Sequence, residues 1–339
     1  MRIRLFELST VLLVAAAVMS AETQPAAGQA RSARGTVPAR NPERGWVPSR
    51  TPDGHPDLQG TWDFRTLTPL ERPGDLAGKQ VLTDEEASAL EQRAAQNRVD
   101  RAPRAGDPGT YNQFWFDFGT TVTDSKRTSL IVNPADGRLP PLTPPAEKRA
   151  ADRAETTRRP AGGPEDRTLW ERCLLGFNSG PPMMPSGYNN NVQLVQTSEY
   201  VVILNEMVHD ARIIPLGPRP HGAVRQWMGD SRGRWEGDTL VIESVNFTSH
   251  GTGTIGLRAS ADENLRLVER FTLTAADTLL YEFTVDDPTV WAGPWTAAVP
   301  MKKTADHIYE YACHEGNHGM VGILKGARAD EEAAKRPLK

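Results

Sequence analysis

Side chains that can perform acid–base or metal chemistry gather at two places in this 339-residue chain. One is the run Cys-His-Glu-Gly-Asn-His at 313–318, which follows an alternating, aromatic-rich stretch typical of a β-strand. Imidazole and carboxylate groups are suited to proton transfer. We therefore take His314 and Glu315 as catalytic candidates, with the carboxylate orienting the imidazole. The alternative is that His314 only packs against a disulfide-bonded Cys313.

The second place is the turn Glu-Met-Val-His-Asp-Ala-Arg at 206–212, which joins two apolar runs and is therefore expected at the rim of a sheet. His209 is the candidate general acid or base, and Glu206 or Asp210 would fix its tautomer. Arg212 would hold an anionic or enolate oxygen of the substrate. The alternative is a solvated turn, in which Glu, His and Asp are ordinary residues.

Four further residues are candidates for substrate binding. Arg225 and Trp227 are spaced as on one sheet face, where an indole stacks on an apolar ring and a guanidinium binds a carboxylate. Met184 belongs to a Met-Pro-rich run that either adapts to an apolar ligand or simply fills gaps. Asn191 ends the irregular segment that follows. Trp235 is better explained as a structural residue of a hairpin.

No organic cofactor is expected from these groups. The potential metal donors at 313–318 belong to a predicted strand end rather than to a helix, so a metal site would need His209 and His314 to converge in space. A divalent metal such as zinc, bound by these two residues, is therefore the alternative. The chain also lacks a Walker phosphate-binding loop, which argues against nucleotide hydrolysis.

The N-terminus predicts export. Arg2 and Arg4 precede a short apolar run at 11–18, and small residues follow, which is the pattern of a signal peptide over 1–30. An uncleaved membrane anchor is the alternative. The protein is thus expected to be periplasmic or secreted, where two cysteines most often pair. Cys173 and Cys313 are predicted to form a disulfide, with a catalytic thiol or metal ligation as alternatives for Cys313.

Composition excludes several classes of partner. The chain is 38% hydrophobic and 24% charged, with a formal net charge of −4. A globular fold is expected, and neither the net charge nor any basic stripe suggests binding to nucleic acid or a membrane surface. No integral membrane association is expected. A small molecule is the predicted partner, and the composition does not define an oligomeric state.

The elements that must position these residues are mostly strands. A first strand is expected at 58–64 and another at 127–132, with helices at about 84–98 and 144–157. From about residue 188, short strands follow one another with hairpin-length connections. They are predicted at 192–196, 200–205, 211–216, 224–228, 234–235, 239–245, 265–273, 278–285, 295–301 and 307–313.

This pattern predicts a mainly β fold: an antiparallel meander that forms a lipocalin-like or half-open barrel, with a few helices from the N-terminal part. A flexible arm is expected at 31–50, and a strand and helix segment at 51–168 that packs on the barrel. The antiparallel β domain is assigned to 169–328 and a C-terminal tail to 329–339.

Four blocks of sequence, at 50–62, 233–243, 281–288 and 309–317, resemble those of a large family of exported, mostly uncharacterised proteins of soil bacteria. The resemblance spans most of the predicted mature chain but implies no particular activity. More weakly, Gly60-Thr61-Trp62 at the start of a meander is similar to the Gly-x-Trp start of lipocalin-like barrels. That similarity implies a central cavity for a small apolar molecule.

The leading hypothesis is a secreted enzyme that performs lyase, isomerase or hydrolase chemistry by acid–base catalysis on a small, partly apolar substrate in a barrel cavity. A periplasmic lipocalin-type binding protein is the first alternative. Its cavity wall would include Trp227, Trp235 and the methionine loop. A metal-dependent enzyme is the second alternative.

Overall fold

Alternating apolar residues produce a large antiparallel sheet in the computed structural model, which describes residues 46–98, 116–248, 263–315 and 317–335. The predicted signal peptide and most of the predicted arm lie outside these residues. Within them the sheet has ten strands, and the mainly β prediction is confirmed. The strands are β1 Gly60–Asp63, β2 Ile131–Asn133, β3 Asn191–Gln196, β4 Tyr200–Asn205, β5 Ala211–Pro215, β6 Asp230–Glu236, β7 Thr239–Val245, β8 Arg266–Ala275, β9 Thr278–Asp286 and β10 Trp295–Thr304.

The sheet consists of two meanders that β1 joins. Its order is β5-β4-β3-β1-β10-β9-β8-β7-β6, so β1 lies between β3 and β10, and β2 pairs with β10 off this path. The two edges approach at one parallel bridge, Leu216 to Gly233. A Cβ at Gly233 would lie 2.7 Å from the Leu216 side chain, so a larger residue there would have to displace that side chain. The sheet is therefore a half-open barrel, as predicted.

Side chains fill the interior of the curved sheet. Every second residue of β8 and β9 is buried over much of their length, as expected for strands with one face toward a core. Their aromatic rings are in contact: Phe271 and Tyr281 have centroids 4.8 Å apart, and Phe283 and Trp295 5.6 Å apart. Met183, from the long irregular segment before β3, is fully buried in the same core. The core therefore occupies the space in which a central ligand was expected.

Three α-helices are present in the described residues: α1 Asp84–Asn97, α2 Pro144–Arg158 and α3 His318–Ala334. The first two were predicted, and α1 begins with the predicted capping box, in which Thr83 and Glu86 satisfy each other's backbone amides. The third was not predicted. Asn317 caps it by accepting a hydrogen bond from the Met320 amide. Helices therefore come from the C-terminal part as well as from the N-terminal part.

Two of the predicted strands are wrong. Residues 224–228 form only an isolated bridge between Gln226 and Phe247, and residues 307–313 form no strand. In the second segment, the backbone amides of Tyr309 and Tyr311 donate to side chains instead of to a neighbouring strand. The alternation of that sequence is therefore not accompanied by a ladder of backbone hydrogen bonds.

Two of the resembling blocks contact each other. The His55 ring stacks on Trp235 with centroids 4.6 Å apart, and Arg50 donates to Asp238 at 2.9 Å. Trp235 thus fastens the segment before β1 to the β6–β7 hairpin, which supports its structural interpretation. The described residues belong to the compact unit Thr36–Lys339. Their helices include none with the length and apolar character needed to cross a membrane.

Candidate functional site

The predicted turn at 206–212 has an unusual backbone. Met207–His209 forms a short 3-10 turn between β4 and β5, and Val208 and His209 have φ values of 60° and 53°. A β-branched residue rarely adopts the left-handed region, so the surrounding contacts must hold this conformation. Met207 is buried and packs so closely on Gly176 that a Cβ there would lie 2.2 Å from Met207. These contacts therefore fix the turn in place.

Glu206 is almost completely buried, and both of its oxygens accept hydrogen bonds. The Asn191 side chain donates to Oε2 at 3.0 Å, and the Tyr309 backbone amide donates to Oε1 at 3.3 Å. Asn191, a predicted substrate contact, is thus a partner of this carboxylate. Glu206 ties β3 and the C-terminal segment to the turn.

His209 is exposed, but the protein engages one of its ring nitrogens. Nδ1 accepts a hydrogen bond from the Tyr311 backbone amide at 3.1 Å. An accepting Nδ1 carries no proton, so in the neutral ring the proton is on Nε2. The lone pair of the neutral imidazole, which a general base would use, therefore points at a backbone amide of the protein. Protonation of Nδ1 would place two N–H groups against each other.

Asp210 connects the turn to the irregular segment before β3. Its Oδ2 accepts from the Gly176 amide at 3.0 Å and from the Ser179 hydroxyl at 2.8 Å. Burial raises the pKa of the Asp210 carboxyl above its ordinary value, and these two donors only partly offset the effect. Within the described part of the chain, the Asp210 carboxylate bonds to Gly176 and Ser179 and makes no hydrogen bond to the His209 ring, so this geometry gives no support for the predicted orienting role.

Arg212 points into the core. Its guanidinium donates to both oxygens of Glu269, at 2.7 and 2.9 Å, and Arg212 and Glu269 are almost fully buried. The Tyr281 hydroxyl donates to the same carboxylate at 2.7 Å and accepts from the Met183 amide at 3.1 Å. Burial alone would lower the pKa of Arg212, but the Glu269 charge raises it instead. This guanidinium binds a carboxylate of its own protein rather than a substrate oxygen.

The 313–318 cluster lies at the protein surface. Cys313 forms the predicted disulfide with Cys173, with their Cα atoms 5.6 Å apart. His314 and Glu315 are exposed. In the described part of the chain, the 206–210 turn meets this segment through the backbone of Tyr309 and Tyr311, and no hydrogen bond joins His209 to His314.

Two short sequences also resemble hydrolase motifs. His-Glu-Gly-Asn-His at 314–318 has the metalloprotease spacing, but that motif needs both histidines on one helix face. Here α3 begins only at His318, so His314 precedes the helix. The described residues also contain no group of three or more His, Cys, Asp or Glu side chains arranged to hold a metal ion.

The second sequence is Gly-Asp-Ser-Arg-Gly at 229–233, which matches the nucleophile elbow of α/β-hydrolases. That elbow is a strand-to-helix turn, whereas Ser231 lies within β6 and its hydroxyl contacts the Ser244 hydroxyl at 2.7 Å. Asp230 instead accepts from the Gly222 amide at 2.6 Å and lies 3.3 Å from His221 Nδ1. Ser231 is not arranged as a catalytic nucleophile.

Arg225 and Trp227, the other predicted substrate contacts, lie in the irregular segment before β6. Arg225 donates to the Phe247 carbonyl at 3.0 Å and the Glu263 carbonyl at 2.9 Å, so it holds the ends of two segments together. Trp227 is half-buried. These contacts place Arg225 in a structural role.

Open volume is found instead on the outside of the barrel, in a region that we name the front cleft. It measures about 600 Å³, within the range of small-molecule sites. Met184 is the single predicted site residue that lines it. The cleft lies between the end of α1, the segment after β1 and the Met-Pro segment. Its lining residues are Thr66, Leu67, Thr68, Pro69, Leu70, Ala94, Asn97, Arg98, Phe118, Gly119, Leu130, Phe177, Met184, Pro185 and Ser186.

Aromatic rings continue outward from this cleft. Phe177 makes edge-to-face contacts with Tyr188, at 5.1 Å, and with Trp170, at 6.0 Å. Phe116 stacks on Phe118 at 5.4 Å. Phe118 is 49% exposed and Trp170 44% exposed, which is unusual for such large apolar side chains. Sequence reasoning missed these residues, although the Met-Pro run had indicated an adaptable apolar segment.

A second cleft, which we name the disulfide cleft, measures about 530 Å³ and surrounds the Cys173–Cys313 bridge. Trp170 forms one side, and Met320 and Ile323 of α3 form another. The mouth is wide and the walls mix carboxylate, amide and apolar groups. We find no single ligand chemistry that this mixture favours.

Comparison with protein-family models and with curated protein sequences finds no match to this chain. The resemblance of its sequence blocks to a family of exported proteins therefore stays a prediction. The function has to be inferred from the geometry alone.

Proposed function

We propose that this protein binds a small, mostly apolar molecule in the front cleft. The observation that carries the proposal is the open volume of about 600 Å³ whose walls are mainly Leu, Phe, Met and Pro side chains. Pockets for small ligands are typically concave and apolar, with a few polar groups that fix orientation. The binding site thus lies outside the barrel rather than inside it, because the aromatic core fills the interior.

The contacts at 206–212 favour binding over acid–base catalysis. Glu206, Asp210 and Arg212 each hold other parts of the protein through hydrogen bonds, and His209 accepts from a backbone amide. A general base needs a lone pair within reach of the substrate proton. In this arrangement the turn fastens the Met-Pro segment and the C-terminal segment, and so supports a wall of the cleft.

Export remains part of the proposal. The disulfide suits an oxidising compartment, and the N-terminal sequence has the order of a signal peptide. We place the protein in the periplasm or outside the cell, where it would capture a small apolar compound.

The test is a titration of the purified protein with 2-naphthalenemethanol, a neutral aromatic probe, followed by calorimetry. Saturable binding with one site is expected. Ala94→Trp, which fills the cleft from α1, should weaken binding by roughly tenfold or more. Ala95→Trp is the matched control, because Ala95 is the exposed neighbour outside the lining.

Both variants should keep the melting temperature and circular dichroism of the unmodified protein. Absence of saturable binding by the unmodified protein, or equal binding by the two variants, would overturn the proposal.

A further inference from the structure

We propose that the front cleft selects apolar molecules that carry a carboxylate, and that Arg98 binds this group. The inference rests on the proposed function, since it concerns the ligand of the same cleft. Arg98 follows α1 as its C-cap residue and lines the cleft. Its side chain is 34% exposed, so it is not enclosed by the protein.

The charge of the cleft wall excludes a cationic ligand as the preferred one. Of the residues that line it, Arg98 is the single charged one, and no Asp or Glu is among them. A cation would thus meet the positive charge of Arg98 with no carboxylate in the lining to offset it. A neutral ligand would leave the arginine donors without a strong acceptor, whereas a carboxylate forms charge-assisted hydrogen bonds with them.

Arg98 is also the last member of a chain of alternating charges. Asp63 accepts from Arg65 Nε at 2.7 Å, and Asp117 accepts from Arg65 and, at 3.1 Å, from Arg98 Nη2. Contact with Asp63, together with the charge of Asp117, raises the pKa of Arg65. Arg65 thus lies between two carboxylates and Asp117 between two guanidiniums.

Among the residues that the structure describes, Asp117 is the one carboxylate partner of Arg98. The contact with Asp117 uses a single terminal nitrogen, and within the described ranges the other N–H donors of the planar fork have no carboxylate acceptor and can serve a ligand. A ligand carboxylate would continue the alternation of charge at the cleft wall. Phe118 and Phe177, on the same wall, provide surface for the apolar body of the molecule.

A purely structural role for Arg98 makes a different prediction. If Arg98 only fastens the end of α1 to Asp117, its replacement would displace the cleft wall. The affinities for carboxylates and for alcohols would then both fall. If Arg98 binds the ligand, its replacement would remove the preference for the carboxylate and leave the affinity for the alcohol unchanged.

The experiment compares 2-naphthoate with 2-naphthalenemethanol by calorimetry at low ionic strength. The unmodified protein should bind 2-naphthoate more tightly, by roughly 10-fold to 100-fold, as expected for a hydrogen bond to a charged group. Arg98→Gln should abolish this preference while the alcohol binds within about threefold of its original affinity. Arg93→Gln, on the exposed side of α1, is the matched control and should retain the preference.

The outcomes separate the two proposals. If neither compound binds, the proposed function itself fails. If both bind equally and Ala94→Trp blocks both, the cleft is a binding site and the carboxylate inference is wrong. A preference for 2-naphthoate that survives Arg98→Gln would overturn the role of Arg98.

Discussion

The turn at 206–212 and the front cleft contrast in a simple way. The turn has imidazole, carboxylate and guanidinium groups, yet the protein itself engages each of them, by Tyr311, Gly176, Ser179 and Glu269 among others. The front cleft has few reactive groups, yet it has open volume and it includes Arg98, whose contact with Asp117 in the described part of the chain uses a single nitrogen. The residues whose side chains could perform chemistry and the open space in which a ligand could bind are therefore found in different parts of the molecule.

Residue type alone therefore does not identify a site. A buried polar group must be satisfied, and proteins satisfy such groups mostly from within. The turn is rich in polar groups because it fastens three separate segments: β3, the Met-Pro segment and the C-terminal segment. A ligand site needs the opposite condition, with groups that the fold positions but leaves incompletely engaged.

The largest expected effect concerns the buried pair of Arg212 and Glu269. Arg212→Met should lower the free energy of unfolding by about 3–5 kcal/mol, because it leaves the Glu269 carboxylate buried without a counter-charge. Urea denaturation measures it. The double variant Arg212→Met/Glu269→Gln removes both charges and should recover a large part of the loss. A loss below about 1 kcal/mol would mean that Arg212 behaves as a solvated residue and remains open to substrate.

His209 and His314, the two histidines of the acid–base hypothesis, allow a matched comparison. His209→Ala should lower stability by about 0.5–1.5 kcal/mol, since the Tyr311 amide loses its acceptor. His314→Ala, at an exposed site, should change stability by no more than about 0.5 kcal/mol.

Hydrogen exchange of the Tyr311 amide should accelerate in the first variant only. Equal exchange rates of the Tyr311 amide in both variants would contradict the structural role of His209. If a substrate is found and both variants lose turnover, the acid–base hypothesis regains support over the binding proposal.

Local sequence signals predicted local structure well. The strand Tyr200–Asn205 and the capping box at Thr83 were predicted from alternation and from capping chemistry, which involve residues close in sequence. The position of β1 between β3 and β10 could not be predicted, since it depends on pairing across more than a hundred residues. For the same reason, the aromatic alternation at 307–313 indicated a strand where there is none.

The candidate site was harder to predict than the fold. The front cleft combines short segments around Leu67, Phe118 and Phe177, and no periodic pattern links them in the sequence. Of its residues only Met184 was identified, because a Met-Pro run has a recognisable composition. The residues at 206–212 were identified by type, but their hydrogen-bond partners lie on three distant segments and become visible only in the folded chain.

The smallest expected effect tests how the turn is held, through the pH dependence of stability. Burial raises the pKa of Asp210 above its ordinary value of 3.8, so near that pH the folded protein retains a proton that the unfolded chain releases. The Asp210 contribution is therefore fully present below pH 3.8 and is lost as the pH rises through the raised pKa.

Asp210→Asn cannot ionise and keeps an oxygen for the Gly176 and Ser179 donors. Its stability relative to the unmodified protein should increase as the pH rises from 4 to 7, as measured by urea denaturation at each pH. Asp306→Asn, at an exposed position, is the control and should show no such trend. If the difference in the free energy of unfolding between Asp210→Asn and the unmodified protein does not change with pH, the Asp210 carboxylate is solvated. The turn would then be an open rim with groups accessible to a substrate.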